Sequence, residues 1–350
     1  MQCLNKFFIS ASLSLSNPPN SQTKNPPFRP TCRNRIHKTH ESPYDETVCK
    51  IASKKAFPLP PNVESITSTS NPFVKHCVKL RQSSSYRHLH GSVLVVGTTP
   101  VREIYRFHKS ESDRPIIECL FVLDNCCIPE EMDDKAVHVI QVNSEVMRKI
   151  SGIQSVDSVE VIALMRIPST FRIVNNSLHD EDCRALFSFP HRILVLDGIQ
   201  DPGNLGTLVR TATAFRWDGV FLLPGCCDPF NDKALRACRG ACFQIPIVSG
   251  NWEHIGALRE EFEMKMLAGH PATSDDLNPV MKLSKDFAES VAGWPLCLVL
   301  GSEGAGLSQF SRRACELVSI PMAGEFESLN VSVAGGIFMY TLQHENNKPA

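Results

Sequence analysis

The stretch ILVLDGIQDPGNLGTLVRTATAFRW, residues 193–217, contains the pattern that decides the fold of the second half of the chain. Its apolar start predicts a buried strand, its glycines and proline predict a turn, and a helix that carries Arg210 follows. A turn from a strand into a helix exposes free backbone amides, which favour an anionic ligand. No Gly-Lys-Ser/Thr follows this turn, and the dinucleotide spacing G-x-G-x-x-G is absent. The rest of the chain has to identify the ligand.

Two further glycine-bearing segments follow predicted strands. LCLVLGSEGAGLS, residues 296–308, places Glu303 just after a strand. SIPMAGEFESLNVSVAGGIFMY, residues 319–340, places Ser328 and Asn330 near the start of a helix. Ligands of open α/β sheets bind outside the carboxyl ends of the strands. Three such segments in one predicted sheet indicate a shared site.

Short apolar runs alternate with helical patterns along most of the chain, which predicts an α/β fold. The length of 350 residues suits about two domains. The first series predicts a small α/β domain, with strands at 92–97, 116–123, 137–142 and 159–166. The second predicts a parallel sheet covered by helices, with strands at 193–197, 219–223, 243–248, 264–268 and 296–300. The predicted boundaries are 1–62 for a targeting segment and linker, 63–168, a polar connector at 169–189, and 190–345.

The N-terminal segment has the composition of an organellar transit peptide. Its first 40 residues contain no Asp or Glu and six Lys or Arg, and FFISASLSLSNPPNSQ is rich in serine. Serine, proline and asparagine outweigh any arginine-rich amphipathic face, which favours the chloroplast over the mitochondrion. A disordered tail without an address is the alternative. No run of 18 apolar residues occurs, so the sequence does not support a membrane span.

Any nucleic-acid binding requires a local basic patch. Residues 1–59 hold nine Lys or Arg against three Asp or Glu, so with an overall formal charge of -1 the remainder carries -7. Residues 71–109 hold seven Lys or Arg against Glu103 alone, with histidines and Tyr86 interleaved. This predicts phosphate contacts, unless the charges form an ordinary solvated face. The candidate RNA-binding residues are Lys75, Lys79, Arg81 and Arg87, and on a later helix Lys233, Arg236 and Arg239.

The cysteines do not form a metal-binding pattern. The chain has 14 cysteines, but no C-x-x-C pair occurs, and CRGAC has the wrong spacing for a zinc knuckle. We therefore expect them to be mostly small buried side chains in a reducing compartment, with no metal site.

The three glycine-bearing segments together resemble the three motifs of the SpoU family, within the SPOUT class of trefoil-knotted RNA methyltransferases. DGIQDPGNLGTLVRTA resembles the first motif, LVLGSEGAGL the second and SIPMAGEFESLNVSVA the third, in the right order. The resemblance covers about 190–343. It implies a C-terminal parallel-sheet SPOUT domain with a knot, which is an exception to the rule against knotted chains. It also implies methyl transfer from S-adenosyl-L-methionine to a ribose 2'-hydroxyl of RNA, and a homodimer formed by the knotted domains.

The resemblance also implies roles for individual residues. The cofactor would be held by the loops that contain Leu300, Gly301, Ile320, Met322 and Leu329. The ribose side would be lined by Asn204, Arg210, Glu303, Ser328 and Asn330. Structural roles compete with these: the polar side chains suit helix N-caps, Glu303 suits the first turn of a helix, and Arg210 suits an ion pair with Asp201 or Asp197.

Arg210 is a poor general base because a guanidinium stays protonated in proteins. We therefore interpret it as a group that orients an RNA phosphate and stabilises developing alkoxide charge. The hydroxyl proton would leave through Glu303, a phosphate or water.

The first domain has a weaker resemblance. ITSTSNPFVKHCVKLRQSSSYRHLHGSVLVVGTTPVREI, residues 66–104, is similar to the L30e-like RNA-binding domain that precedes the knot in many ribosomal-RNA members. This favours organellar ribosomal RNA as the substrate. The alternatives are a tRNA ribose methyltransferase and a catalytically silent RNA-binding or ribosome-assembly factor. A nicotinamide-dependent oxidoreductase is disfavoured because the dinucleotide motif is missing.

Overall fold

The computed structural model of the protein describes residues 64–109, 115–124, 126, 137–154, 159–175, 180–271 and 279–343. The predicted targeting segment and linker at 1–62 lie outside the described residues. Among the residues that are described, no helix is long and apolar enough to span a membrane.

The N-terminal domain contains a mixed five-stranded sheet of order β1-β4-β3-β5-β2. Strand β5 is antiparallel to both β2 and β3, and the other pairs are parallel. The strands are β1 (Ser65–Ile66), β2 (Ser92–Val96), β3 (Ile117–Leu123), β4 (His138–Val142) and β5 (Val161–Arg166). The helices are α1 (Pro72–Gln82), α2 (Ser84–His90), α3 (Thr98–Lys109) and α4 (Ser144–Ser151).

The C-terminal domain contains an eight-stranded sheet of order β11-β13-β10-β12-β7-β8-β9-β6, in which every pair is parallel. The strands are β6 (Phe171–Ile173), β7 (Arg192–Asp197), β8 (Gly219–Leu222), β9 (Ile247–Ser249), β10 (Lys265–Gly269), β11 (Met281–Lys282), β12 (Leu296–Gly301) and β13 (Glu316–Ser319). The helices are α5 (Asp180–Leu186), α6 (Pro202–Ala214), α7 (Asp232–Cys238), α8 (Trp252–Glu261), α9 (Lys285–Val291), α10 (Gln309–Ala314) and α11 (Val331–Thr341). The predicted α/β class and the parallel sheet are confirmed, whereas the knot stays a prediction.

The structure corrects the predicted secondary structure at two places. The stretch predicted as a connector, 169–189, supplies strand β6, which pairs with β9 as the edge of the second sheet, and helix α5. The strand predicted at 243–248 begins only at Ile247, because Ala241–Phe243 form a 3-10 helix. The helix α2 and the two-residue strands β1 and β11 were not predicted, since such short elements carry little periodicity.

Helix α6 begins where the opening stretch predicts it. The Asp201 side chain accepts a hydrogen bond from the backbone amide of Asn204 at 2.8 Å, and Pro202 occupies the first helical turn. The helix ends in paired hydrogen bonds from Arg216 to Thr213 and from Trp217 to Ala212, with Arg216 at a φ of 53°. This is a Schellman ending, in which the residue after the helix adopts a left-handed conformation. Glycine is the usual residue there, and Arg216 occupies that position in this chain.

Helix α6 lies in close contact with α7 on one side and α11 on the other. A Cβ on Gly206 would approach the carbonyl oxygen of Ala234 in α7 to 2.4 Å. A Cβ on Gly335 of α11 would approach a methyl group of Leu208 in α6 to 2.3 Å. Gly206 leaves no room for a Cβ against the backbone of α7, and a Cβ on Gly335 would displace the Leu208 side chain, so α6 packs closely on both helices.

Both domains contribute to one continuous apolar core, which includes Val93 and Ile104 of the first and Leu194 of the second. A buried ion pair lies beside this core: Arg87 donates from Nη2 to the carboxylate of Asp228 at 2.6 Å. The Arg87 guanidinium also donates to the carbonyl oxygens of Leu80 and Arg81. Its donors are therefore used within the fold.

Arg87 is a correction to the predicted RNA-binding set, because only 2% of its side chain is exposed. Burial alone would raise the pKa of Asp228. Hydrogen bonds from His88 and Ser84 and the charge of Arg87 outweigh burial and hold the pKa of that carboxyl well below its usual range. The basic residue therefore joins the domains and is not available to a phosphate.

We expect Asp228→Asn to lower the free energy of unfolding by about 3 kcal/mol at neutral pH, because it leaves the Arg87 charge buried without its partner. A folded-state pKa below the ordinary 3.8 means that this contribution is complete above pH 5 and shrinks as the pH falls through 4. Urea titrations of both proteins between pH 7 and 3 measure the difference.

The matched control is Asp232→Asn, which removes the carboxylate that pairs with Arg236 on the surface of α7. We expect a loss of about 0.5 kcal/mol or less there. Equal losses in the two variants would contradict a special role for the buried pair.

Candidate functional site

Three of the predicted polar residues form a hydrogen-bonded group, here called the polar cluster: Asn204, Glu303 and Asn330. The side-chain amides of Asn204 and Asn330 both donate to Oε1 of Glu303, at 2.7 and 2.5 Å. Asn330 also donates to the amide oxygen of Asn204 at 3.2 Å. The cluster therefore joins the three glycine-bearing segments at one place.

The structural alternatives proposed from sequence are resolved for two of these residues. Asp201, not Asn204, caps α6, so the Asn204 side chain is left for the cluster. Asn330 does cap α11, through hydrogen bonds from the amides of Ser332 and Val333 to its Oδ1. It belongs to the cluster through its amide nitrogen, so capping and site functions coexist.

The loop after β12 is held in a narrow turn. Ser302 and Gly306 exchange two backbone hydrogen bonds, of 3.1 and 2.9 Å. A Cβ on Gly301 would lie 2.4 Å from the Gly306 backbone, so only glycine permits this approach. Asp197, at the end of β7, accepts hydrogen bonds from Ser308 and Ser311 beyond the turn. The loop is thereby attached to the neighbouring strand.

A cavity of about 580 Å³ opens beside this loop, between the carboxyl ends of β10 and β12 and the segment before α11. All five residues predicted to hold the cofactor line it: Leu300, Gly301, Ile320, Met322 and Leu329. Glu303 and Ser328 of the predicted ribose set line it as well. Its lining is mainly apolar and includes the carboxylates of Glu303 and Glu327, which is typical of a small-molecule site.

Arg210 occupies a different position from the other predicted ribose-side residues. It lies on the exposed face of α6, six residues after Asn204, and does not line the cavity. Among the described residues, no hydrogen bond or ion pair joins it to Asp201 or Asp197. Its charge is therefore presented to solvent, where it is accessible to a substrate.

Sequence reasoning missed two groups of site residues. Ser332 donates to the amide oxygen of Asn330 at 2.6 Å and to that of Asn204 at 3.2 Å, so it extends the polar cluster. Gly269, the last residue of β10, and His270, which follows it, line the cavity. The sequence did contain a signal for Gly269 and His270. They lie in LAGHP, at the carboxyl end of the strand predicted at 264–268, which is the edge of the sheet where ligands bind.

The two adjacent thiols beyond β8 are protonated. The Cys226 Sγ donates to the carbonyl oxygen of Leu196 at 3.2 Å, and burial raises the pKa of Cys226 to about 11. Burial and the neighbouring Cys226 raise the pKa of Cys227 to about 12. Neither group supplies a thiolate at neutral pH. Within the described ranges, no cluster of three His, Cys, Asp or Glu side chains is arranged to hold a metal ion.

The remaining candidate RNA-binding residues lie in two places. Lys75 and Lys79 are exposed on α1, whereas Arg81 is half-buried and its guanidinium lies against Gly152. The other three are exposed at α7 and its C-cap: Lys233, Arg236 and Arg239. Arg236 is paired with Asp232 at 3.2 Å.

The family model described as the SpoU rRNA Methylase family matches residues 191–340, which include the polar cluster and the cavity. Residues 191–340 belong to the SpoU methylase family. These residues accordingly form an RNA methylase domain of the SpoU type.

Relatives of the SpoU domain extend the comparison. An uncharacterized tRNA/rRNA methyltransferase of Synechocystis sp. is 29% identical over 293 residues, which are 83% of this chain and 97% of the relative. The 23S rRNA (guanosine(2553)-2'-O)-methyltransferase of Bacillus subtilis is 35% identical over 153 residues, which are 43% of this chain and 58% of that enzyme. The chain thus spans nearly all of the first relative and somewhat over half of the second.

Solved structures share the fold. The AdoMet-bound rRNA methyltransferase from Sinorhizobium meliloti has a TM-score of 0.62 at 24% identity, and the match covers 80% of this chain and 97% of that one. The SpoU methyltransferase AviRb from Streptomyces viridochromogenes with AdoMet has a TM-score of 0.61 at 21% identity, covering 78% and 97%. Each match is longer than the SpoU domain, so the likeness includes the N-terminal sheet. The L30e-like assignment stays a prediction.

The cavity of this SpoU domain fits S-adenosylmethionine. The narrow turn at Gly301 leaves backbone groups at the wall, where they can pair with an adenine, and Leu300, Ile320 and Leu329 provide apolar surface for it. Glu303 and Glu327 line the same cavity and suit the positive charges of the cofactor. When bound, the cofactor supplies an electrophilic methyl group.

The polar cluster of the SpoU domain can orient and deprotonate a hydroxyl. Two amide groups hold Oε1 of Glu303, which fixes the direction of the carboxylate. Among the described residues nothing donates a hydrogen bond to its Oε2, so that oxygen can accept one from a substrate. A carboxylate placed in this way can act as a general base or as an orienting acceptor.

Proposed function

We propose that the protein transfers a methyl group from S-adenosylmethionine to a ribose 2'-hydroxyl of organellar large-subunit ribosomal RNA. The observation that carries this proposal is the polar cluster beside the cofactor cavity. Glu303 lines the cavity and is held by Asn204 and Asn330, so a hydroxyl acceptor lies next to the place of the methyl donor. Arg210 would orient an adjacent phosphate and stabilise alkoxide charge.

Ribosomal RNA is preferred over tRNA for two reasons. The residues before the SpoU domain resemble an L30e-like RNA-binding domain, and the Bacillus subtilis relative is named for 2'-O-methylation of a guanosine in 23S rRNA. The Synechocystis relative is named for both RNA classes, so tRNA is the second candidate.

The compartment is proposed from composition. The first 40 residues contain no Asp or Glu and are rich in serine, which favours import into the chloroplast, with the mitochondrion as the alternative. A fluorescent fusion of residues 1–62 that stays in the cytosol would contradict this proposal.

A homodimer is proposed as well. Helix α11 exposes Val333, Ile337 and Tyr340 at 53%, 37% and 62%, and their spacing of four and three residues places them on one face. Such an apolar stripe on a surface helix suits contact with a second copy of this chain. Light scattering at the monomer mass would contradict a dimer.

The first experiment is transfer of tritium from labelled S-adenosylmethionine to unmodified organellar rRNA and, separately, to tRNA. We expect label at one ribose of the rRNA, and loss of label in Arg210→Ala without loss of S-adenosylhomocysteine binding, because Arg210 does not line the cavity. The matched control is Arg259→Ala, which removes an exposed arginine from α8.

Label in tRNA alone would change the substrate and keep the enzyme. Cofactor binding without label in either RNA would favour the silent RNA-binding alternative. Activity of Arg210→Ala near that of the wild type would show that this arginine is not in the site.

The predicted RNA contacts of α1 have a separate test in the salt dependence of RNA binding. Each phosphate contact that is lost lowers the slope of log affinity against log salt by about 0.7–0.9. We therefore expect Lys75→Gln/Lys79→Gln to lower the slope by about 1.4–1.8. The control pair is Lys282→Gln/Lys285→Gln, which removes two exposed lysines of the second domain. An unchanged slope in the first variant would place the RNA elsewhere.

A further inference from the structure

A phenylalanine side chain in the segment between β13 and α11 is exposed to solvent close to the site. Phe326 is 81% exposed, and two neighbours in the same segment, Met322 and Leu329, are 38% and 37% exposed. Burial of a phenylalanine side chain is worth about 1.5–3 kcal/mol, so a ring this exposed forgoes most of that stabilisation. A group of exposed apolar side chains next to a functional cavity is typical of a surface that binds a ligand or a partner.

The cofactor does not account for Phe326. Met322, Glu327, Ser328 and Leu329 line the cavity, whereas Phe326 lies outside it. The ring precedes Ser328 by two residues and Asn330, a member of the polar cluster, by four. It is therefore close along the chain to the place proposed for the substrate ribose.

The charges around Phe326 indicate which chemical group its ring can bind. Phe326 is flanked by the exposed carboxylates of Glu325 and Glu327, and Glu303 lies in the cavity wall. Three carboxylates would repel the phosphates of a nucleic-acid backbone. A nucleobase has no net charge and presents a flat π surface, which aromatic side chains bind by stacking.

We propose that Phe326 is a substrate-binding residue that stacks on the base of the nucleotide whose ribose is methylated. This inference rests on the proposed function and adds the position of the base to it. Stacking is tolerant of base identity, so the ring holds the nucleotide while the polar cluster acts on its 2'-hydroxyl. A base held in this way is unstacked from its neighbours, which is the usual state of a nucleotide that proteins read in RNA.

The test compares four variants in methyl transfer to the rRNA that the wild type methylates. We expect Phe326→Ala and Phe326→Leu to lower kcat/KM by about 5- to 150-fold, the effect of losing one base–aromatic stack. Phe326→Tyr and Phe326→Trp retain a π surface and should stay within about threefold of the wild type. The control is Phe189→Ala, because Phe189 is 84% exposed but precedes the amino end of β7, at the opposite edge of the sheet.

Three results would overturn the proposal. Wild-type activity in Phe326→Leu would show that apolar contact suffices without stacking. Weaker S-adenosylhomocysteine binding in Phe326→Ala would assign the ring to the cofactor. A change in molecular mass of Phe326→Ala in light scattering would show that a second copy of the chain covers the ring.

A binding experiment separates this inference from the proposed function, because it needs no turnover. Tryptophan emission of Phe326→Trp, with the wild-type signal subtracted, should be quenched by single-stranded poly(A) and poly(U). Unchanged emission at RNA concentrations that saturate binding would overturn the stacking proposal even if methyl transfer is found. If the wild type labels no RNA, the proposed function fails while the quenching result still decides the role of Phe326.

Discussion

The site depends on the parallel pairing of β12 with β7 on one side and with β10 on the other. The pairing places Gly301 beside Asp197 and Leu300 beside Gly269, so the carboxyl ends of three strands meet at one edge. The loops that follow β7, β10 and β12 therefore begin at nearly the same height along the strand direction. A polar cluster assembled from residues 204, 303 and 330 is possible only because the sheet brings such distant segments together.

Close backbone approach then determines which residue types the loops can contain. Gly301 beside the Gly306 backbone, and Gly206 beside the backbone of α7, each leave no room for a Cβ. At Gly301 the backbone therefore forms part of the cavity wall, beside apolar side chains such as Leu300 and Ile320. The polar side chains have a different role: Asn204 and Asn330 both donate to Glu303 and so fix the direction of its carboxylate. In the proposed function, backbone and apolar groups of the cavity would hold the cofactor, and the polar cluster would act on the hydroxyl.

The sequence predicted the features that depend on local pattern. Apolar runs identified the long strands of both sheets, and the motif resemblance identified all five residues proposed for the cavity, which line it. It failed where tertiary contacts decide the outcome. Arg87 lies in a basic stretch, but its partner Asp228 is 141 residues away, so its burial has no local signal. Strand β6 has only three residues and gains its place by pairing with β9. Ser332 joined the polar cluster through Asn330, a contact that depends on how α11 is capped.

The shared core and the buried Arg87–Asp228 pair have a mechanical consequence for the whole enzyme. Domains joined only by a polar linker can move against each other, but here apolar packing and a desolvated ion pair cross the boundary. Among the described residues, these contacts oppose movement of one domain against the other. Surfaces on the first domain are thereby held in position relative to the polar cluster. In the proposed function, an RNA that contacts both domains would need a shape that reaches both at once.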